Sequence, residues 1–300
     1  MRIAFIGLPF NPISLASLDG CLSTGHKIDV FVSFRQGDEP FAPGVDGLVG
    51  PQRDPWRPWF GDLKELADVI SANKVDLLVA AGCYHILPPE ILQIPRLGCL
   101  NVHPSLLPKY RGGDPIFWQY RNGDLEAGVT VHWIDNGIDT GDIVNQAAFE
   151  IEPGEPMESS EMKYAGAANS MLLKTLDELE KGTVERKRQC HLPCPQFARI
   201  PKPEDFQVDW NKWSLERIWH FLRMGPFIAE RSLPAAPGFR QWAVGAMIPG
   251  DSAGEPGTLS SDDEGTFVNH AVGIIRLKVR TEEVWEGPPV PPQPVQEGVL

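Results

Sequence analysis

Asn101 and His103 lie two residues apart in the segment Cys99–Gly113, which reads CLNVHPSLLPKYRGG. With Cys99–Val102 as a strand, an amide and an imidazole share one face at its C-terminal end. Open α/β sheets place their chemistry at that end of their strands. A single His beside a Pro is ordinarily structural. This His has an amide partner and, further along the chain, the acidic loop Asp135–Asp142 (DNGIDTGD), and the combination points to a site.

The surrounding pattern supplies elements to hold such a site. Arg2–Ile6, Ile28–Ser33, Asp76–Ala80 and Cys99–Val102 read as buried strands. Ile13, Leu15, Leu18 and Leu22 sit at helical spacing between the first two, and further helices are expected at Leu63–Ala72 and Glu90–Gln93. Strands alternating with helices imply right-handed crossovers and a mostly parallel, Rossmann-like α/β sheet. Val129–Ile134 and Ile143–Phe149 read as two more strands, and Met157–Lys181 as a long helix stopped at Gly182. The proline-rich stretch 190–205 reads as a linker, and Trp210–Met224 as one amphipathic helix. Short β-rich runs between Phe239 and Val279 suggest a smaller antiparallel barrel or sandwich. The expected organisation is a catalytic domain at 1–189, a linker at 190–205, a β-rich domain at 206–285 and a proline-rich tail at 286–300.

Composition narrows the function. With 27 Lys+Arg against 40 Asp+Glu, the net charge is −13, which disfavours general nucleic-acid binding. Apolar runs are too short for a signal-peptide core or a membrane-spanning helix, and five cysteines suit reduced thiols, so a cytoplasmic protein is expected. The first strand–helix turn, Gly7–Pro12 (GLPFNP), has one glycine where a dinucleotide fingerprint needs three, which argues against a nicotinamide cofactor. Cys190-His-Leu-Pro-Cys194 lacks the second ligand pair of a zinc site, so no metal is expected. The basic run Glu185–Arg188 reads as a solvated strand end, and Cys83 as a packing thiol.

Asn101-Val-His103-Pro-Ser105-Leu-Leu-Pro108-Lys-Tyr-Arg-Gly112, followed by Gly137-Ile-Asp139-Thr-Gly-Asp142, resembles the signature of the 10-formyltetrahydrofolate-dependent formyltransferases. The resemblance is strong over Met1–Lys181 and weaker from Pro201 to Val279, where the chain is similar to the barrel domain that follows the catalytic domain in methionyl-tRNA formyltransferases. It implies that Asn101, His103 and Asp139 are catalytic and that 10-formyltetrahydrofolate is the formyl donor. Asn101 and His103 would then hold the oxyanion that forms when an amine attacks the formyl carbon. Asp139 would orient His103, favour its protonated form and help carry protons. The implied folate pocket is the loop Ala81–Glu90, with Tyr84, Ile86, Leu87 and Pro88 on one side and Ile138 and Asp139 on the other. Ser105, Lys109 and Arg111 are expected to face the acceptor or the folate tail, while Asp142 is expected to serve loop hydrogen bonding.

The acceptor is the open term. The two-domain layout favours methionyl-tRNA. The net charge, and a segment Phe34–Trp56 with few cations, favour a small amine such as an amino sugar or a natural-product intermediate. Departure of Gly113–Asp114 from the amino-sugar pattern leaves that acceptor unspecified. Hydrolysis of 10-formyltetrahydrofolate and a catalytically silent folate-binding scaffold are the remaining alternatives. The oligomeric state is not readable from the sequence.

Overall fold

The computed structural model describes residues 1–8, 11–34, 56–59, 63–83, 85–190, 196–233, 242–252 and 254–279. Tyr84, the Cys194 end of the zinc-like motif, most of Phe34–Trp56 and the proline-rich tail fall outside them. Two compact units result. The first comprises Met1–Ile116, Glu126–Glu150 and Glu161–Arg199; the second comprises Phe117–Leu125, Ile151–Ser160 and the residues from Ile200 onward.

The first unit is built on a seven-stranded sheet in the order β3-β2-β1-β4-β5-β6-β7. Its strands are β1 (Arg2–Gly7), β2 (Lys27–Phe34), β3 (Trp56–Trp59), β4 (Leu77–Ala81), β5 (Cys99–His103), β6 (Glu126–Trp133) and β7 (Ile143–Glu150). β1 to β5 run parallel, and β6 and β7 are added antiparallel. This is the expected mostly parallel α/β sheet, with the short β3 as an additional edge strand. β4 is buried along its whole length because both faces are covered. Ala4, Ile6, Leu78, Ala80 and Cys99 meet Leu66 and Ile70 of helix α2 (Leu63–Ala72) in one core cluster.

Strand order reverses beside β1, so the carboxyl ends of β1, β4 and β5 border one crevice. Gly7, at the end of β1, is there for packing: a Cβ would sit 2.6 Å from the Phe5 ring and 3.2 Å from the Ala81 carbonyl. Helix α1 (Pro12–Ser23) starts from Asn11, whose side chain accepts hydrogen bonds from the Ile13 and Ser14 amides, with Pro12 at the first helical position. Helices α3 (Pro89–Leu92), α4 (Pro115–Asn122) and α5 (Met157–Lys181) follow. α5 ends where the sequence places its stop. Gly182 adopts φ +67° and donates to Leu179 O, while Thr183 N donates to Glu178 O, a Schellman closure.

In the second unit, one expectation is corrected. The helix read over Trp210–Met224 begins only at Leu215. Asp209 turns the chain by accepting from the Asn211 and Lys212 amides, and Ser214 caps α6 (Leu215–Arg223) by accepting from Arg217 N. A further helix, α7 (Pro226–Ser232), starts at Pro226. The β-rich run forms a four-stranded antiparallel sheet, β8 (Trp242–Pro249), β11 (Gly273–Val279), β10 (Gly265–His270) and β9 (Leu259–Asp262), in that order. Among the described residues, β8 and β9 are its edges.

Replacing Asn11 with Ala leaves two amides of the first turn of α1 without their acceptor. Urea unfolding should show the variant about 1 kcal/mol less stable, with an unchanged m-value.

Candidate active site

The site lies entirely within the first unit, at the carboxyl end of β5. Antiparallel pairing sets Asn101 opposite His132 of β6, and His103 opposite Thr130. β6 carries a register irregularity between Val131 and His132 where it meets β7. Bulges of this kind re-aim side chains beside functional sites. The result is a buried His132 whose Nε2 lies 3.2 Å from Asn101 Nδ2. His132 Nδ1 lies 2.8 Å from the Trp133 carbonyl, so Nδ1 donates and Nε2 accepts from the Asn101 amide.

Asp139 comes from the loop between β6 and β7, and its carboxylate is the centre of the cluster. Oδ1 accepts from Asn101 Nδ2 at 3.3 Å and lies 3.5 Å from His132 Nε2. Oδ2 accepts from Gly112 N at 2.8 Å and lies 3.6 Å from His103 Nδ1. The three side chains implied by the sequence signature therefore converge on one point, and His132 joins them. His103 Nε2 donates to the Tyr110 carbonyl at 2.8 Å, which fixes the plane of its ring and leaves Nδ1 facing the carboxylate.

Burial and charge oppose each other here. Burial acts to raise the Asp139 pKa, but the neighbouring imidazoles and the Gly112 amide outweigh it and hold the carboxyl well below its usual 3.8, so it is ionised. Asp139 favours the protonated form of His103, but the net shift of that imidazole is downward. Burial lowers its pKa, with His132 adding to the lowering, and together they outweigh the raising effects of Asp139 and the Tyr110 carbonyl. The resting imidazole is neutral. Burial, reinforced by the Asp139 charge, pushes the Cys83 thiol up to about 12, so it stays protonated, as a packing residue would.

The other residues expected at the site are distributed as follows. Leu87 lies in the core cluster with Ile6 and Ile91, Pro88 is half-buried, and Ile86 is 53% exposed. Ile138 is half-buried in the Asp139 loop. Ser105 turns inward, its hydroxyl donating to the Lys109 carbonyl. Lys109 Nζ lies 3.3 Å from Glu126. Arg111 is buried, and its guanidinium donates to Gln189 Oε1 at 3.0 and 2.6 Å instead of facing outward. Asp142 contributes through its backbone, accepting from Trp133 N.

The loop 105–112 is held on every side. Thr130 Oγ1 donates to Ser105 O and accepts from Leu107 N, and Gln146 Nε2 donates to Leu107 O. The Leu107–Pro108 bond is cis. Residues 196–198, inside the stretch read as a linker, form a backbone ladder with Tyr110, Arg111 and Asp114. Gly112, at φ +119°, has no room for a Cβ, which would fall 2.6 Å from the Ala198 carbonyl.

Two residues that sequence reasoning missed, His132 and Gln189, contact Asp139 or its loop. A signal for the first was present. Thr130 and His132 are polar residues alternating in an otherwise apolar strand, on the face that meets Asn101 and His103. Gln189 gave no comparable signal, because it follows a charged run and precedes a proline-rich one.

Residues 47–176 match the family described as Formyl transferase. Over 229 residues the chain is 36% identical to a methionyl-tRNA formyltransferase of Synechococcus sp. (strain JA-3-3Ab), covering 71% of this chain and 68% of that protein. It is 32% identical to the methionyl-tRNA formyltransferase of Thermotoga neapolitana, covering 93% of this chain and 90% of that one. The fold is similar, at a TM-score of 0.61 and 19% identity, to an N-formyltransferase from Helicobacter canadensis solved with folinic acid and dTDP-3-aminofucose, covering 92% of this chain and 98% of that one. Among the described residues no group of His, Cys, Asp and Glu could hold a metal, and no helix is long and apolar enough to cross a membrane.

The depressed Asp139 pKa ties stability to pH. Its ionised form is favoured in the fold, so its contribution is complete above the unfolded value of 3.8 and is lost as pH falls toward the folded one. Denaturant titrations between about pH 5 and pH 2 should show wild type losing stability more steeply than Asp139→Asn. Equal slopes would mean that this carboxylate is not held in its ionised form.

Proposed function

The chain belongs to the formyl transferase family, and from that premise we propose that it passes a formyl group from 10-formyltetrahydrofolate to the primary amine of a small molecule. The observation that carries the reading of the site is the convergence of Asn101, His103 and Asp139. In the proposed reaction a neutral amine attacks the formyl carbon and forms a C–N bond. The carbonyl π electrons move to oxygen, and a tetrahedral alkoxide results. Asn101 Nδ2, on a rigid strand end, is the donor placed for that oxygen. Its contact to Asp139, at 3.3 Å, is long enough to yield to a closer acceptor.

His103 Nδ1 takes the proton that the attacking amine must lose. A neutral imidazole is available for this at neutral pH, and the imidazolium that forms lies between two acceptors, the Asp139 carboxylate and the Tyr110 carbonyl. The proton then goes to the departing folate nitrogen as its bond to the formyl carbon breaks. The folate subsite implied by Tyr84, Ile86, Leu87, Pro88 and Ile138 stands as part of this proposal.

The net charge of −13 supports a small acceptor, since tRNA must be held through its phosphates. The second reading is formylation of methionyl-tRNA, favoured by the 36% and 32% identical relatives, both methionyl-tRNA formyltransferases. One assay separates them. The protein is incubated with 10-formyltetrahydrofolate and either a panel of amino sugars and small amines or charged initiator tRNA, with tetrahydrofolate release and product mass as readouts. Turnover with a small amine and none with tRNA is the expected result. Tight tRNA binding at moderate salt with turnover reverses the ranking, and formate release without any acceptor marks a hydrolase. Asn101→Ala and His103→Ala should each lower turnover by about 10²–10³-fold.

The pH profile has a defined sign. Activity should fall as pH drops through the His103 pKa, which lies below the ordinary 6.5. In Asp139→Asn the carboxylate no longer raises that value, so the acid limb of the residual activity should move to lower pH. An unmoved limb would remove His103 from the role of base.

A further inference from the structure

We propose that Gln189 is a positioning residue of this reaction, fixing Asp139 through the backbone of its own loop; the inference rests on the functional reading above. Gln189 is buried, and both ends of its side-chain amide are used. Nε2 donates to the Asp139 carbonyl at 2.9 Å and to the Gly141 carbonyl at 2.7 Å. Oε1 accepts Nε and Nη2 of Arg111 at 3.0 and 2.6 Å. Arg111 can only donate, so the amide orientation is decided by its partners.

The loop needs an external hold. Asp139 adopts φ +51°, a left-handed conformation that a non-glycine residue keeps only when its surroundings over-determine it. Its carbonyl is held by Gln189, and its carboxylate by Gly112 N at 2.8 Å. Gly112 follows Arg111 in the chain, so the two restraints close a ring: Arg111 to Gln189, Gln189 to the Asp139 backbone, and the Asp139 carboxylate back to Gly112. Asp135 gathers the exposed side of the same loop by accepting from Gly137 N and Thr140 Oγ1. Gln189 is the interior restraint, acting on the residue whose carboxylate faces His103.

Gln189→Glu tests the arrangement. A carboxylate keeps an acceptor for Arg111 but sets an oxygen against two carbonyl oxygens, so it separates a role in satisfying Arg111 from a role in holding the loop. The expected result is a fall in kcat of about tenfold or more, as displacement of a reacting group produces. KM for 10-formyltetrahydrofolate should change less than kcat, the thermal midpoint should be retained, and the acid limb of kcat should move to lower pH. Gln189→Met, which lacks both the donor and the acceptor, should lower kcat in the same direction. Wild-type kcat and an unmoved acid limb in Gln189→Glu would overturn the proposal. So would failure of both variants to fold, which would assign Gln189 to the framework of the domain. Should the wild-type protein transfer formyl to no acceptor, the functional reading fails by itself. Amide exchange then decides the restraint: faster exchange across 137–142 in Gln189→Glu supports it, and unchanged exchange overturns it.

Discussion

A single ionised carboxylate organises this site. Asp139 is mostly shielded from water, with 15% of its side chain exposed, and a charge so placed is tolerated only where donors surround it. The donors are Asn101 Nδ2 on β5 and the Gly112 amide on the loop beyond β5, and the imidazoles at 103 and 132 face the carboxylate from two strands. Each of those groups is in turn oriented by a backbone partner or by the sheet. The carboxylate therefore does structural and chemical work with the same oxygen atoms. Its demand for donors draws the loops together, and its field prepares a neutral imidazole to accept a proton.

The sheet explains why the arrangement can be rigid. β5 is the last of the parallel strands and the first to have an antiparallel neighbour. On one side its register is set by the buried run of β4, and on the other by direct cross-strand pairing with β6. Asn101, His103 and His132 therefore occupy two adjacent strands, and the loop after β6 brings Asp139 to them. Thr130 shows the same economy: one buried hydroxyl fixes the loop 105–107 through a donation and an acceptance. Polar residues on the inner face of β6 thus serve the chemistry and the backbone that carries it.

Much of this was legible in the sequence, for identifiable reasons. Fully buried strands announce themselves as apolar runs, and the helix Met157–Lys181 was bounded correctly because its end carries a basic residue followed by a glycine that must adopt positive φ. The pairing of Asn101 with His103 followed from strand alternation, and Asp139 from the resemblance of its motif. What could not be read depended on long-range geometry. The helix read from Trp210 starts later, at Leu215, because Asp209 turns the chain and Ser214 caps α6 by hydrogen bonding. Arg111 reads as a cation facing the acceptor or the folate tail, but its partner lies far along the chain in a charged stretch with no periodicity. His132 shows in the sequence as a polar residue alternating with Thr130, but the irregularity in strand pairing beside it leaves no compositional trace.

The segment 135–142 has a consequence for how such a protein can diverge. It is anchored at both ends, by Trp133 N on Asp142 O and by Ile143 N on Lys187 O, and in the middle by two carbonyls held from within. Gly141 admits no side chain, because a Cβ would run into the Trp133 carbonyl. A chain with so many fixed points has no slack to absorb an inserted or deleted residue. The β9–β10 turn is exposed, and Arg276 holds its Asp262 and Glu264 by their side chains rather than by buried backbone carbonyls. Length variation among descendants of this scaffold should therefore accumulate at exposed turns, while the span from 135 to 142 keeps its length.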